Sequence, residues 1–290
     1  MLPLFPRLAL LGVGYIGGSA VLAARQAGLV GRVVGYDVSA SAGATGQQMG
    51  VLDASVSTLA EAVRDASLVL LAAPVRSLED ILRELGNVLP TDATVIDVGS
   101  VKTGVVAAAE ASLPAGQFVA CHPMAGAEFS GVECADAGIF SGRVCFLCPP
   151  SHVAPRALAA AQSFWAGIGC RVIAIDPQTH DRLMAAQSHL PHVAAYALAG
   201  SLVPSLSFLA NTTNEASPTT SLRDTTRIAA SSPAVWRDIL LANAENLVPL
   251  MEELEINVRD LKVAVAKGDA AELERLLAKG QSARQQLVKG

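Results

Sequence analysis

The chain lacks the features that mark membrane and nucleic-acid-binding proteins. Its longest apolar run covers residues 68–75, far short of the roughly 20 residues that a membrane-spanning helix needs. The net charge is −5 and there is no run of lysine and arginine, which argues against a nucleic-acid surface. We therefore expect neither a membrane nor a nucleic acid as a partner.

Cysteine is scarce and odd in number, with five residues in the chain. The N-terminus carries only Arg7 before an apolar run that leads directly into a glycine motif, so we expect no signal peptide. Reduced thiols and a cytoplasmic location follow. Cys145 and Cys148 have the spacing of metal ligands, but no second cysteine pair or nearby histidine pair completes a site. We predict no metal.

The first half of the chain alternates short apolar runs with helix-like segments. The runs are continuous rather than alternating in polarity, which is typical of strands covered on both faces. The pattern predicts a Rossmann-type, doubly wound parallel sheet. The predicted strands are 8–13, 32–37, 68–75, 94–98, 118–122, 143–148 and 171–175, and the predicted helices are 18–27, 59–66, 77–89, 103–112 and 155–168.

After Asp176 and Pro177 the strand signals nearly vanish and helical periodicity takes over, over 178–200 and again from 236 to the end with a break at 268–269. Residues 211–233 are rich in Ser, Thr and Asn and predict a long loop. We therefore predict a dinucleotide-binding domain over 1–176 and an all-helical domain over 177–290. The helical segment has more apolar surface than it can bury alone, which predicts a homodimer formed through these helices.

A glycine motif follows the first predicted strand. Gly12 allows a tight turn, Gly14 lets the backbone approach a pyrophosphate, and Gly17 lets the next helix pack on the strand. The N-terminus of that helix offers free N–H groups to phosphate. Tyr15 and Ile16, between the glycines, complete the expected cofactor-binding loop.

Asp37 ends the second predicted strand, 20 residues after Gly17. A carboxylate there accepts hydrogen bonds from ribose hydroxyls and repels the 2′-phosphate of NADP. Val38 and Ser39 follow, with no adjacent arginine to receive that phosphate. The sequence therefore predicts NAD rather than NADP; the alternative is a turn aspartate beside a structural glycine loop.

Three further segments carry chemistry. The stretch 97–102 (DVGSVK) and the stretch 121–131 (CHPMAGAEFSG) each follow a strand, at the sheet edge where open α/β folds bind ligands. The third, 188–192 (SHLPH), lies in the helical half. Together with 223–229 (RDTTRIA) and 236–238 (WRD), these motifs resemble the prephenate and arogenate dehydrogenases of tyrosine biosynthesis over nearly the whole chain.

The resemblance implies NAD-dependent oxidative decarboxylation of prephenate to 4-hydroxyphenylpyruvate, with arogenate as a second substrate. It assigns His122 as the catalytic histidine, and a base with near-neutral pKa suits proton removal from the ring hydroxyl. It makes Ser100 a catalytic and cofactor-side residue that bonds the reacting hydroxyl. The alternatives are a turn-capping role for His122 and a helix N-cap for Ser100. We interpret Lys102 as structural.

The resemblance also assigns the substrate side. Arg227 matches an arginine that grips a substrate carboxylate, which a planar guanidinium does with two parallel bonds. His192, Trp236 and Glu128 fall at family positions near the site. Their alternatives are a surface ion pair for Arg227, a core histidine for His192 and a core anchor for Trp236.

Two histidines, His152 and His180, have no motif around them and are interpreted as surface residues, and His189 is left unassigned. Two other functions stay open. A β-hydroxyacid dehydrogenase would need a lysine in 178–200, and there is none. A catalytically silent NAD-binding regulatory protein would not need Ser100, His122 and Arg227 together.

Overall fold

The computed structural model describes residues 2–126, 130–205 and 219–287. The chain forms two compact units, Met1–Asn243 and Ala244–Gly290. The change from strands to helices falls at residue 177, where the sequence places the domain boundary. That boundary stays a prediction, because the two compact units divide the chain at a later point.

One mainly parallel sheet organises the first unit. Its strand order is β3-β2-β1-β4-β5-β6-β7-β8, and only the β6–β7 pair is antiparallel. The first six positions follow the order 3-2-1-4-5-6 of dinucleotide-binding folds, which confirms the predicted fold class. The strands are β1 (Phe5–Leu11), β2 (Val30–Tyr36), β3 (Ala54–Ser55), β4 (Leu68–Leu71), β5 (Thr94–Asp97), β6 (Phe118–Pro123), β7 (Val144–Cys148) and β8 (Arg171–Ala174).

Helices cover both faces of the sheet, and a separate apolar cluster fills each face. All residues of β4, β5 and β6 are buried, which explains why these strands are apolar except for Thr94, Asp97 and His122. The helices are α1 (Tyr15–Gln26), α2 (Ala40–Gln48), α3 (Leu59–Val63), α4 (Val75–Leu85), α5 (Thr103–Ser112) and α6 (Pro155–Gly167).

The parallel strands bring the predicted site residues to one edge. β1, β2, β4, β5 and β6 all run in the same direction, so the segments that follow them or end them lie together. Gly12 follows β1, Asp37 follows β2, Ser100 follows β5, and His122 lies near the end of β6.

The described residues of the first unit that follow β8 are mainly helical. α7 (Pro177–Met184), a π-helical turn (Ala185–His189) and α8 (Leu190–Ser201) are continuous. They are followed by α9 (Thr220–Thr226), a 3-10 turn (Arg227–Ala230) and α10 (Pro233–Ala242). The stretch 211–233, which the sequence predicts to contain a long loop, is therefore helical over residues 220–230. Thr219 starts this helix by accepting a hydrogen bond from the Leu222 N–H at 3.3 Å; residues 206–218 lie outside the described part of the chain.

The second unit contains two helices, α11 (Ala244–Lys267) and α12 (Ala270–Leu287). Gly268, at φ +65°, ends α11 in the left-handed conformation that glycine favours. The Asp269 carboxylate then accepts from the Glu272 N–H at 3.0 Å and begins α12. This is the predicted break. Among the described residues, no helix of either unit is long and apolar enough to cross a membrane.

Candidate active site

The glycine loop between β1 and α1 has the geometry that its motif predicts. Gly12 adopts φ +93°, and a Cβ there would lie 2.7 Å from the backbone of Ala72. A Cβ on Gly17 would lie 2.7 Å from the Ala72 Cβ, so this glycine lets α1 approach β4 closely. A Cβ on Gly14 would meet nothing within 4 Å. The space above Gly14 is therefore open for a ligand.

The N-terminus of α1 is suited to a phosphate. Gly14 is its N-cap and no side chain caps it, and the first turn contains no acidic residue. Its N–H groups and positive dipole end remain available to an anion. Tyr15 is buried, and burial followed by the nearby Asp136 and Cys134 raises its pKa. Ile16 is half-buried.

Asp37 connects the end of β2 to the glycine loop. Its Oδ2 accepts from the Val13 N–H at 2.7 Å and its Oδ1 accepts from the Ser39 N–H at 2.8 Å. Each oxygen keeps a second lone pair for a ribose hydroxyl. Within the described residues no lysine or arginine forms an ion pair with this carboxylate, so its charge would repel a 2′-phosphate.

A buried ion pair fixes the loop that carries Ser100. Lys102 Nζ lies 2.5 Å from Asp97 Oδ2 and donates to the Cys121 carbonyl at 2.8 Å. Asp97 also accepts from the Gly99 and Cys121 N–H groups at 2.9 and 2.7 Å. Both charged side chains are fully buried. The interpretation of Lys102 as structural fits this contact, which ties the Ser100 loop to the residue before His122.

Ser100 itself is half-buried and does not cap α5, whose N-cap residue is Lys102. The α5 amides are capped from a distant part of the chain. Asp181 Oδ1 accepts from the Lys102 N–H and Oδ2 from the Thr103 N–H, each at 2.8 Å. The N-cap alternative for Ser100 is therefore wrong, and its hydroxyl is not needed by the helix.

His122 belongs to a buried chain of three polar side chains. Its Nδ1 lies 2.9 Å from His180 Nε2, and His180 Nδ1 lies 2.8 Å from Asp181 Oδ1. His180 is completely buried and also packs edge-on against Phe146 of β7, with ring centroids 5.6 Å apart. The interpretation of His180 as a surface residue is wrong; His152 is exposed, as predicted.

The signal for His180 was present in the helical pattern. His180, Asp181, Met184, Ala185 and His189 are the buried residues of α7 and the π turn. A charged residue and a histidine at core positions of an amphipathic helix need partners. Here those partners come from β6 and α5, which are distant in sequence.

Burial and hydrogen bonds together set the pKa values of these groups. The pKa of His122 lies well below its usual value, first because burial disfavours its charged form, and then because His180, Lys102 and His189 oppose its protonation electrostatically. Burial alone would raise the pKa of Asp181, but hydrogen bonds from His180, Thr103 and Lys102 outweigh it and lower the pKa. His122 is therefore neutral and Asp181 ionised at neutral pH.

Accessibility distinguishes the two nitrogens of His122. Within the described residues Nε2 has no hydrogen-bond partner. It is also not one of the fully buried polar atoms that lack a hydrogen bond. The 8% of His122 that stays exposed therefore includes Nε2. A neutral histidine with an accessible, unbonded nitrogen is able to accept a proton.

A second group lies on the helices of the same unit. The ring of His192 stacks on Trp236, with centroids 3.4 Å apart and planes at 19°. His192 Nδ1 donates to the Ser188 carbonyl at 2.9 Å. Burial lowers the pKa of His192, the Ser188 bond opposes this, and the charge of Arg227 lowers it further. Arg227 is exposed and close enough to act on His192 electrostatically.

His189 lies between the two groups. It is buried, its ring meets Trp236 edge-on at 6.0 Å, and burial lowers its pKa to about 4. The Asn243 amide donates to His189 Nδ1 at 3.0 Å and to the Asp181 carbonyl at 2.8 Å. Sequence reasoning missed Asn243, which has no motif around it. Its contacts make His189 a structural residue.

The structure thus brings the predicted residues into two groups within one unit, His122 with the Ser100 loop and His192 with Trp236 and Arg227. Glu128 lies outside the described residues. No cluster of potential metal ligands occurs in the described ranges. Cys145 and Cys148 lie on β7, and burial raises the pKa of both thiols, that of Cys148 to about 12. They are poor metal ligands because their thiolates are disfavoured.

Comparison with known sequences gives two family matches. The family described as prephenate dehydrogenase, nucleotide-binding domain, matches residues 20–174, and prephenate dehydrogenase, dimerization domain, matches residues 176–279. The chain is 33% identical to a cyclohexadienyl dehydrogenase of Zymomonas mobilis over 97% of this chain and 95% of that protein. It is 32% identical to a prephenate dehydrogenase of Bacillus subtilis over 92% of this chain and 72% of that protein.

Comparison with solved structures gives the same result. A prephenate dehydrogenase from Aquifex aeolicus, in complex with hydroxyphenyl propionate and NAD+, superimposes with a TM-score of 0.84 at 31% identity, over 97% of this chain and 98% of that chain. An arogenate dehydrogenase from Synechocystis shares the fold, with a TM-score of 0.77 at 24% identity, over 97% of this chain and 100% of that chain.

Proposed function

This chain belongs to the prephenate dehydrogenase family, and on that basis we propose that it oxidises and decarboxylates prephenate to 4-hydroxyphenylpyruvate with NAD. Arogenate is the competing substrate, since it differs from prephenate only in carrying an amino group in place of the side-chain keto group. The observation that carries the proposal is His122, a neutral histidine at the sheet edge with Nε2 accessible and Nδ1 held by His180.

We assign proton removal to His122. Nε2 accepts the proton of the ring hydroxyl as that carbon is oxidised, and the ring carboxylate leaves as carbon dioxide while the ring becomes aromatic. A neutral histidine performs this step at neutral pH because its lone pair is free. Ser100, on the loop held by Lys102 and Asp97, bonds the same hydroxyl and orients it.

NAD is held by Gly12, Gly14, Tyr15, Ile16, Gly17 and Asp37, with Ser100 at its nicotinamide end. The open space above Gly14 and the uncapped amides of α1 fit a pyrophosphate. When bound, NAD supplies the hydride acceptor. The Asp37 carboxylate, which forms no ion pair with a described lysine or arginine, supports NAD over NADP, and the ratio of the two activities measures that preference.

Arg227, His192 and Trp236 form the substrate side. The Arg227 guanidinium grips a substrate carboxylate, and His192 presents Nε2 because Nδ1 donates to Ser188. The Trp236 ring stacks on His192 and fixes its plane. We keep Glu128 as a substrate-side residue on the resemblance alone.

We also propose a homodimer that forms through the helical region. The dimerization-domain match covers residues 176–279, and many apolar side chains of the second unit stay exposed. They are Val248, Met251, Ile256, Val258, Val263, Val265, Leu277 and Leu287. Light scattering coupled to size exclusion gives the mass; a monomer at micromolar concentration would contradict the dimer.

A cytoplasmic location completes the proposal. All five cysteines are free thiols, and four of them are buried. Buried free thiols are typical of a reducing compartment. Fractionation of cells that express the tagged protein tests this location.

The decisive experiment mixes the purified protein with NAD and either prephenate or arogenate and follows NADH at 340 nm. The ratio of kcat/KM for the two substrates identifies the preferred side chain. No turnover with either substrate would refute the proposed function and would favour the silent NAD-binding alternative. The match to the prephenate dehydrogenase family argues against the alternative function of a β-hydroxyacid dehydrogenase.

A further inference from the structure

The proposed reaction gives no step to His180 or Asp181, although His180 is buried against His122 and Asp181 against His180. We propose that they are positioning residues for His122: Asp181 fixes the tautomer of His180, and His180 fixes the tautomer and ring orientation of His122. This inference rests on the proposed function for its kinetic consequences. The tautomers themselves do not depend on the substrate.

The tautomers follow from the hydrogen-bond partners. An ionised carboxylate only accepts, so the bond from His180 to Asp181 Oδ1 requires a proton on His180 Nδ1. With its one ring proton on Nδ1, His180 has a bare Nε2, which accepts from His122 and requires a proton on His122 Nδ1. Neutral His122 is therefore left with its lone pair on the accessible Nε2, where the base needs it.

Asp181 is held firmly enough to fix these tautomers. Besides His180, its two oxygens accept from the Lys102 and Thr103 N–H groups, each at 2.8 Å. Its own carbonyl accepts from the Asn243 amide at 2.8 Å. A negative charge at the N-terminus of α5 is also stabilised by the helix dipole. The carboxylate has no freedom to turn away from His180.

The other charged or titratable groups near His122 do not offer it a competing acceptor. The Lys102 ammonium group donates hydrogen bonds to Asp97 and to the Cys121 carbonyl. His189 accepts on Nδ1 from Asn243, so its remaining proton is on Nε2. Burial raises the pKa of the Cys121 thiol and keeps it neutral. Among the described residues, His180 alone bonds to His122 Nδ1.

The kinetic test compares two substitutions at one position. His180→Phe keeps a flat ring but removes the acceptor, and kcat should fall roughly 10²-fold, within the range that a positioned base contributes. The KM values for NAD and substrate should stay within about twofold, because neither binding group is touched. His180→Gln offers an amide oxygen to His122 Nδ1 and should recover most of kcat.

The matched control is Phe5→Leu, which alters another buried ring, at the start of β1 and so at the sheet edge opposite the site. It should lower the melting temperature and leave kcat unchanged. An unchanged kcat in His180→Phe overturns the proposal. Equal losses in the Phe and Gln variants, or parallel changes in kcat and KM, also overturn it, because they indicate a purely structural role.

A second measurement needs no activity. Long-range 15N–1H correlation spectra of protein labelled with 15N-histidine distinguish the two neutral tautomers, and His→Gln variants assign the five histidines. We expect His122 and His180 in the Nδ1–H form and His189 in the Nε2–H form. An Nε2–H form at His122 overturns the inference. Expected tautomers in a protein that turns over neither substrate would support the inference and refute only the proposed function.

Discussion

Replacing Lys102 with methionine tests how much the site depends on its buried ion pair. Methionine has a similar length and no charge, so Lys102→Met leaves the Asp97 carboxylate buried with two backbone N–H donors and no cation. Removing one partner of a buried pair typically costs about 3–5 kcal/mol. That is a large share of the roughly 5–15 kcal/mol that stabilises a typical protein. We expect the free energy of unfolding to fall by this amount.

Urea unfolding followed by circular dichroism measures the change. The control is Lys262→Met, an exposed lysine on α11, which should change the free energy of unfolding by less than about 0.5 kcal/mol. The double variant Asp97→Asn with Lys102→Met has no uncompensated charge and should be more stable than Lys102→Met alone. The reasoning is refuted if Lys102→Met stays within about 1 kcal/mol of the natural protein, or if the double variant is less stable.

Four more predictions concern the site. His122→Asn should lower kcat roughly 10²–10⁴-fold, measured as NADH formation; a smaller loss contradicts its role as base. Arg227→Ala should raise the KM for substrate roughly ten- to hundredfold with little change in kcat, and an unchanged KM rejects Arg227 as the carboxylate anchor. Asp37→Ala should lower the ratio of NAD to NADP activity, and an unchanged ratio contradicts the role of Asp37. Because burial lowers the pKa of His122 well below 6.5 and the neutral form is the base, kcat/KM should keep its full value as the pH falls to about 6.5; a loss of activity already at pH 7 would contradict the lowered pKa of His122.

Much of the sheet could be predicted because its central strands are fully buried. β4 is an uninterrupted apolar run, β5 and β6 are apolar except for Thr94, Asp97 and His122, and α5 has the predicted bounds, 103–112. The prediction missed α2 and β3. The α2 segment contains Gly43 and Gly46, which weaken its helical signal, and both are buried against neighbours that leave no room for a side chain. β3 has two residues, too few for any periodicity.

The site was predictable where a motif is local. The glycine loop and Asp37 lie within a single strand–helix–strand unit, so their spacing identifies them. His180 and Asp181 could not be found this way, because their partners lie 58 and 79 residues away in sequence. Their meaning comes from packing between α7, β6 and α5. The stack of His192 on Trp236 is likewise a tertiary contact, and the local sequence around neither residue predicts it.

The π turn at Ala185–His189 sets the direction in which the side chains after it face. It adds about one residue to a turn, and the helix then continues through Pro191 to carry His192. If the same residues formed a regular α-helix instead, everything after the turn would rotate by roughly 100°. His192 would leave the face of Trp236, and His189 would leave Asn243. The wide turn therefore decides which partners His189 and His192 meet.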